Sequence, residues 1–200
     1  MKNLGILLSG RGSNFEAIAR NVQAGKIPAK IAVVISNREE APGLARAREM
    51  GLNARFISSK GRDREAYDRE VVAALREFHV DLVCLAGFMR ILSPYFVREF
   101  PGRILNIHPA LLPAFPGSDA QKQALEYGAK LTGCTVHIVD EGVDTGPIVC
   151  QAAVPVLDDD SVETLSARIL KEEHRIYSEA ICLMLEGRVR VERRRVCNSA

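Results

Sequence analysis

The sequence predicts an α/β protein with a mostly parallel central sheet, helices on both faces and an antiparallel C-terminal portion. In the first half of the chain, short apolar segments alternate with segments of helical periodicity, which is typical of a parallel sheet. Later, the strand candidates at residues 132–139 and 147–156 are separated by a turn too short for a crossover helix, so we expect them to pair antiparallel. The 200 residues, 47% hydrophobic and 26% charged, suit one soluble domain over residues 1–200.

The first strand candidate, residues 3–9, leads through a glycine turn into a helix. The turn reads GRGSN at residues 10–14. At such a turn, backbone N–H groups and the positive end of the helix can converge on an anion. A dinucleotide is disfavoured because Phe15 stands where the third glycine of the fingerprint belongs, and the next strand ends in Ser36 and Asn37 rather than in an acidic residue. The turn therefore indicates a site for a single phosphate monoester.

The remaining elements follow from hydrophobic spacing and from helix start and stop signals. We expect further strands at residues 31–35, 53–57, 82–86 and 103–107, and helices at residues 15–22, 42–50, 63–78, 119–126 and 161–185. Ser161 is a plausible N-cap of the last helix, and Gly187 is its expected stop. Residues 188–193 alternate as a half-exposed edge strand does, with charges that prevent edge pairing. An RNA-binding tail is the alternative interpretation.

Polar residues at the end of one strand candidate are the first candidates for chemistry. In an open parallel sheet, ligands bind outside the carboxyl ends of the strands, where Asn106 and His108 lie. Residues two apart on a strand point to the same side, so we expect this pair to face one cleft and Ile107 to face the packed side. A lone histidine is more often structural, but the asparagine and two stiffening prolines, Pro109 and Pro113, favour a functional site.

A second candidate is the acidic turn at residues 140–146, between the two antiparallel strands. An aspartate in a turn usually satisfies local backbone donors, whereas opposite a histidine it could hold an imidazolium. Sequence spacing alone does not place Asp144 beside His108. A metal site is not expected, because Cys134 and His137 have an odd separation that puts them on opposite faces of their strand.

Composition restricts the compartment and the class of partner. The net charge of +2 gives no general reason to expect nucleic acid as a partner, and no apolar run is long enough to cross a bilayer. Five widely spaced cysteines are expected to be buried free thiols rather than a disulfide framework. We therefore expect a cytoplasmic protein, monomeric or homodimeric, without nucleic-acid or membrane partners.

Two long motifs, NIHPALLP at residues 106–113 and DEGVDTGP at residues 140–147, resemble the two signatures of the formyltetrahydrofolate-dependent formyltransferases. Further matching segments follow in order along essentially the whole chain: residues 9–14, 64–68, 85–93 and 173–174. Within the family, the chain resembles the members that formylate glycinamide ribonucleotide. Two departures fall in a loop that is mobile in the family: Ala114 stands where some members carry lysine, and Gly-Ser-Asp at residues 117–119 replaces the Gly-Leu-His of some members.

The resemblance implies a Rossmann-like formyltransferase fold, with phosphate and nucleotide binding in the N-terminal half and the folate side in the C-terminal half. It implies transfer of the formyl group of 10-formyltetrahydrofolate, the co-substrate, to the amine of glycinamide ribonucleotide in purine biosynthesis. Asn106 and His108 would donate hydrogen bonds to the tetrahedral oxyanion. Asp144 would keep His108 charged, orient it and organise the water that carries protons.

The resemblance also implies the binding residues. Gly12, Ser13 and Asn14 are expected at the substrate phosphate and Glu173 at the ribose hydroxyls. The residues expected on the folate are Arg64 at its glutamate tail and, around the pterin, Met89, Arg90, Ile91, Leu92, Phe96, Val97, Val139, Asp140, Glu141 and Val143.

Three alternatives remain open: hydrolysis of the formyl donor, formyl transfer to another amine such as initiator methionyl-tRNA, and a folate-binding or nucleotide-binding module without turnover. Relatives with the first activity carry an additional N-terminal domain, and those that formylate methionyl-tRNA carry an additional C-terminal domain. Because the first strand candidate begins at residue 3 and the sequence stops at residue 200, we expect neither domain here. Binding alone would not require the trio Asn106, His108 and Asp144, so we expect an enzyme.

Overall fold

A computed structural model describes residues 1–198, which form two compact units. The first unit is Met1–Asn106, and the second begins at Ile107. No helix in the described part of the chain is both long enough and apolar enough to cross a membrane.

The first unit contains a parallel sheet in the strand order β3-β2-β1-β4-β5. Its strands are β1 (Lys2–Leu8), β2 (Ala29–Ser36), β3 (Ala54–Phe56), β4 (Leu82–Leu85) and β5 (Ile104–His108), and its helices are α1 (Ser13–Gln23), α2 (Pro42–Glu49), α3 (Arg64–Glu77) and α4 (Pro94–Glu99). The apolar residues of β1, β2 and β4 are buried in continuous runs, as in a sheet covered on both faces. The last two residues of β5 belong to the second unit.

The second unit contains the antiparallel portion, in the strand order β6-β7-β9-β8. Its further elements are α5 (Ala120–Tyr127), β6 (Leu131–Ile138), β7 (Ile148–Pro155), α6 (Val162–Leu185), β8 (Val189–Glu192) and β9 (Arg195–Asn198). β6 pairs antiparallel with β7, and β8 pairs antiparallel with β9, whereas β7 and β9 are parallel. The predicted α/β class, with a mostly parallel sheet and an antiparallel C-terminal portion, is confirmed.

The longest helix, α6, begins and ends where its sequence signals predict. The Ser161 hydroxyl accepts from the Thr164 N–H and the Thr164 hydroxyl accepts from the Ser161 N–H, so two otherwise unsatisfied donors are capped. After α6, Gly187 adopts a left-handed φ of 69°, which a glycine adopts without strain.

The predicted elements differ from the observed ones by no more than two residues at either end. Two short elements, α4 and β9, were not predicted. The expected edge strand at residues 188–193 is β8, which lies at the end of the strand order and forms a hairpin with β9.

Candidate active site

His108, the last residue of β5, is buried and has an oxygen atom at each ring nitrogen. Only 4% of the residue is exposed. Its Nδ1 lies 3.3 Å from Asp144 Oδ2, and its Nε2 lies 2.8 Å from the carbonyl oxygen of Phe115. A doubly protonated imidazole ring could donate to both oxygens, so the surroundings suit an imidazolium.

Asp144 lies in the turn between β6 and β7, with its carboxylate aimed at two histidine rings. Its Oδ2 accepts from the Gly117 N–H at 2.8 Å, and its Oδ1 lies 3.5 Å from His137 Nε2. The backbone of Asp144 has a left-handed φ of 53°, a conformation that aspartate adopts more readily than most residues. Sequence spacing left the position of Asp144 open, and the structure brings it next to His108.

Opposing effects determine the pKa of Asp144. Burial, the largest single effect, raises the pKa of this carboxyl group. The hydrogen bond from His137, the N–H of Gly117 and the electrostatic interactions with His108 and His137 together outweigh burial and hold the pKa of Asp144 below its usual value. Asp144 is therefore ionised at neutral pH, as a carboxylate that stabilises a neighbouring imidazolium must be.

His137 is a site residue that the sequence analysis considered only as a metal ligand. It is 2% exposed and lies on β6, two residues after Thr135, which is also fully buried. The Thr135 hydroxyl donates to the Ala110 carbonyl at 2.7 Å and accepts from the Leu112 N–H at 3.0 Å, so it holds the loop that follows His108. Polar residues at alternate positions of an otherwise apolar strand were the signal that could have identified this face of β6.

Asp140 has a local structural role in the turn that carries Asp144. Its Oδ1 accepts from the Gly142 N–H at 3.1 Å and from the Thr145 hydroxyl at 2.6 Å. A Cβ on Gly146 would overlap the Ile138 carbonyl, so only glycine fits there. Around this turn, Glu141 and Val143 are exposed and Val139 is half-buried. Their expected contacts with the folate stay predictions.

The glycine turn of the first unit opens the N-terminus of α1. Gly12 is the N-cap with a left-handed φ of 81°, and no side chain caps this end of the helix. A Cβ on Gly12 would lie 2.7 Å from the Gly43 Cα, so packing requires glycine here independently of any ligand. Ser13 is half-buried and Asn14 buried at the start of the helix. Backbone N–H groups at a helix N-terminus, together with the positive end of the helix, suit a phosphate.

Ser9, just after β1, joins this turn to the loop that follows β4. Its hydroxyl donates to Asn37 Oδ1 at 2.6 Å and accepts from the Met89 N–H at 2.8 Å. In that loop, 72% of Met89 and 49% of Ile91 are exposed. Two exposed apolar side chains on a loop held in place at its base suit contact with a flat aromatic ligand.

The other residues expected to bind folate in the first unit differ widely in exposure. Leu92 and Phe96 are buried, Phe96 completely, and Val97 is half-buried. The Arg90 guanidinium carbon lies 4.7 Å from the centre of the Tyr67 ring. Arg64, the first residue of α3, is exposed.

Asn106 is half-buried on β5, where it pairs with Leu85 of β4. Because it lies two residues before His108 in an extended strand, the two side chains leave the same face. Glu173, on α6, is only 7% exposed. The catalytic and binding roles of these residues stay predictions.

The cysteines are free, and two of the five, Cys84 and Cys134, are buried. Burial, with the nearby charge of Glu173, raises the pKa of Cys134 to about 12, so it is an unreactive thiol. Within residues 1–198, no group of histidine, cysteine and acidic side chains has the geometry of a metal site.

Comparison with known proteins identifies the family. The formyl transferase family model matches residues 2–181. The trifunctional purine biosynthetic protein adenosine-3 of Drosophila melanogaster is 50% identical over 93% of this chain, and this chain spans only 14% of that protein. The phosphoribosylglycinamide formyltransferase of Escherichia coli (strain K12) is 44% identical, over 94% of this chain and 90% of its own length. The crystal structure of glycinamide ribonucleotide transformylase 1 from Symbiobacterium toebii matches with a TM-score of 0.98 and 53% identity, over 100% of this chain and 95% of that one. This chain therefore belongs to the formyl transferase family.

Proposed function

We propose that this protein transfers the formyl group of 10-formyltetrahydrofolate to the primary amine of glycinamide ribonucleotide, a step of purine biosynthesis. The observation that carries this function is the buried pair of His108 and Asp144, with 3.3 Å between Nδ1 and Oδ2. A charged imidazole at a strand end provides the hydrogen-bond donor that acyl transfer requires. The acceptor follows from the names of the relatives in Escherichia coli and Symbiobacterium toebii.

The reaction begins when the neutral amine attacks the formyl carbon. A new carbon–nitrogen bond forms, and the carbonyl electron pair moves to the oxygen. His108 and the Asn106 amide donate hydrogen bonds to this oxyanion, and each such donor is typically worth about 3 to 4 kcal/mol. The bond to N10 of the folate then breaks, and a proton passes from the attacking amine to N10 through a water held by Asp144.

Formyl transfer requires a change in the partner of His108. Its Nε2 donates to the Phe115 carbonyl, while its Nδ1 faces Asp144. If Nδ1 stays bound to Asp144, which orients the ring, then Nε2 is the nitrogen that donates a hydrogen bond to the formyl oxygen. The Phe115 carbonyl must therefore release Nε2 when the donor binds. The φ of 51° at Phe115 gives this loop a backbone conformation that most residues avoid, which would lower the cost of a rearrangement.

His137 is assigned to positioning. Its ring approaches the Asp144 oxygen that does not face His108, so it fixes the rotation of the carboxylate about its side-chain bonds. The carboxylate then presents one oxygen to His108 and the other to His137. An orienting group of this kind acts through Asp144 and does not contact the reacting atoms.

The substrate phosphate is assigned to the N-terminus of α1, at Gly12, Ser13 and Asn14, and the ribose hydroxyls to Glu173. Met89 and Ile91 of the first unit supply exposed apolar surface that suits the pterin. Arg64 is exposed and can meet the anionic glutamate tail of the folate. The protein is expected to act in the cytoplasm, without a metal, as a monomer or homodimer.

The direct test is an acceptor comparison. The protein is incubated with 10-formyltetrahydrofolate and either glycinamide ribonucleotide, initiator methionyl-tRNA or no acceptor, and release of tetrahydrofolate is followed. We expect release only with glycinamide ribonucleotide. Release without an acceptor would instead assign the protein as a hydrolase, and no release in any sample would assign it as a binding module.

A further inference from the structure

The C-terminal hairpin lies outside the residues that the family model matches, which end at 181. β8 and β9 are joined by a two-residue turn, Arg193 and Arg194, in which Arg193 has a left-handed φ of 57°. β9 lies parallel to β7 at the start of that strand, where Arg195 pairs with Ile148. Because Ile148 comes four residues after Asp144 in the chain, the hairpin turn lies near the turn that carries Asp144.

One hydrogen bond joins the two turns. The Arg194 Nη2 atom donates to the carbonyl oxygen of Thr145 at 2.7 Å. A guanidinium donor at this distance makes a charge-assisted bond, which is stronger than a bond between neutral groups. Thr145 directly follows Asp144, and its carbonyl lies in the peptide unit between Thr145 and Gly146, one residue beyond Asp144, whose carboxylate faces both histidines.

The turn around Asp144 requires external support. Asp144 has a left-handed φ of 53°, which costs free energy in any residue other than glycine. On the N-terminal side, Asp140 holds the turn through the Gly142 N–H and the Thr145 hydroxyl. On the C-terminal side, the Thr145 carbonyl accepts a hydrogen bond from Arg194.

We propose that Arg194 is a positioning residue for formyl transfer, which fixes the turn at Asp144 from the C-terminal hairpin by binding the Thr145 carbonyl. This inference rests on the proposed function. The inference gives the arginine-rich C-terminal hairpin a role within the enzyme. Arg194 acts through the backbone, and it keeps the Asp144 carboxylate aligned with His108 and His137. A rotation of this turn would lengthen both contacts and weaken the orientation of His108.

The test compares Arg194→Ala with Arg190→Ala, which removes the same charge from the same hairpin. Arg190 forms an ion pair with Glu192 on β8, and its backbone pairs with Cys197 of β9. We expect Arg194→Ala to lower kcat by about tenfold and to leave the KM of both substrates within about twofold, because the loss falls on the orientation of catalytic groups. Arg190→Ala should match the parent. Arg194→Lys keeps a cationic donor and should restore part of kcat.

Hydrogen–deuterium exchange provides a second measurement that does not depend on activity. In Arg194→Ala, backbone amides at residues 140–146 should exchange faster, while those of α3 should keep the parental rate. If the parent protein showed no formyl transfer, the proposed function would be refuted. The exchange rates at residues 140–146 would still show whether Arg194 holds the turn in place. Unchanged exchange at residues 140–146, a kcat equal to that of Arg190→Ala, or faster exchange throughout the chain would each overturn the inference.

Discussion

At the scale of single residues, the electrostatics of the site depend on Asp144. Its carboxylate is 13% exposed and lies within 3.5 Å of a ring nitrogen of both His108 and His137. Two potential cations around one anion compensate for the cost of its burial. The same contacts hold its pKa below the usual value, so the carboxylate keeps its charge over the whole neutral and mildly acidic range.

Asp144→Asn removes this charge with almost no change of shape. We expect kcat to fall by at least about a hundredfold and the KM of both substrates to change little, because His108 loses the anion that stabilises its charged form. Asp140→Asn is the matched variant in the same turn: it also removes one carboxylate charge but keeps an acceptor oxygen for the Gly142 N–H and the Thr145 hydroxyl, so its kcat should fall far less. A near-parental kcat in Asp144→Asn would contradict the proposed mechanism.

The same variant should change how stability depends on pH. Since the folded-state pKa of Asp144 is lowered, its ionisation stabilises the fold above the unfolded-state pKa of about 3.9, and this contribution is lost as pH falls through the folded-state value. The difference in Tm between the parent and Asp144→Asn should therefore be largest near neutral pH and shrink in acid. A difference that grows as pH falls would exclude this electrostatic role.

The phosphate assignment can be tested at Ser13, the first residue of α1. Ser13→Asp puts an anion where the phosphate is expected, and an acidic residue at a helix start is favourable for the helix itself. We therefore expect the KM for glycinamide ribonucleotide to rise by about tenfold or more, with an unchanged or higher Tm. Ser13→Asn is the neutral control. An unchanged KM in Ser13→Asp would remove the phosphate from this turn.

The sequence could predict the site residues that lie close together on one strand, but not those that meet only through the fold. Asn106 and His108 are neighbours on one strand, so alternation alone predicts that they share a face. His137 and Asp144 meet across a strand and a turn, and the Phe115 carbonyl carries no residue-specific signal at all. A contact made by backbone atoms or by a turn of unusual φ has to be observed in the structure.

At the scale of elements, a buried hydrogen bond fixes the start of α4 against α3. The carboxylate of Asp68, on α3, accepts from the Ser93 N–H at 2.6 Å, and both residues are buried. Ser93 is also the N-cap of α4, with its hydroxyl accepting from the Phe96 N–H. This six-residue helix was not predicted, because its hydrophobic pattern is too short to have a clear period.

Asp68→Ala should destabilise the protein by about 1 to 3 kcal/mol, since it leaves the buried Ser93 N–H without its acceptor. Burial raises the pKa of Asp68, so its charge itself contributes nothing favourable at neutral pH. Asp68→Asn keeps an acceptor and should stay within about 1 kcal/mol of the parent. Glu65→Ala on the same helix breaks an exposed pair with Arg69 and removes an acidic residue from the first turn, so it should cost less than about 1 kcal/mol and leave no buried group unpaired. Chemical denaturation provides all three values, and an Asp68→Ala variant as stable as Glu65→Ala would contradict the role of the bond.

At the scale of the whole molecule, local periodicity predicted where the elements lie, but it could not predict their order in the sheet. β1 pairs with both β2 and β4, and β7 pairs with β9, so neighbours in the sheet lie far apart in the chain. Strand order depends on which apolar faces pack best, a property of the assembled chain. The antiparallel pairing of β6 and β7 could be predicted from the sequence, because the turn between them is too short for a parallel connection.

Charge is the other property of the whole molecule that leads to a prediction. The 27 basic and 25 acidic residues nearly cancel, and the basic tail is balanced locally, with Arg188 near Glu186 and Arg190 near Glu192. Nucleic-acid binding requires cations that can replace the counterions of several phosphates. We therefore expect no acceptor-selective complex with initiator methionyl-tRNA in a gel-shift assay at physiological ionic strength.

The double variant Glu186→Gln, Glu192→Gln is the positive control for that assay. It removes the acidic partners of Arg188 and Arg190 and two negative charges, so it should gain weak binding that disappears as salt is raised and that does not distinguish initiator from elongator tRNA. This gain would show that the assay detects tail-mediated binding and that the acidic residues suppress it in the parent. A parental complex selective for the initiator tRNA would instead favour methionyl-tRNA as the formyl acceptor.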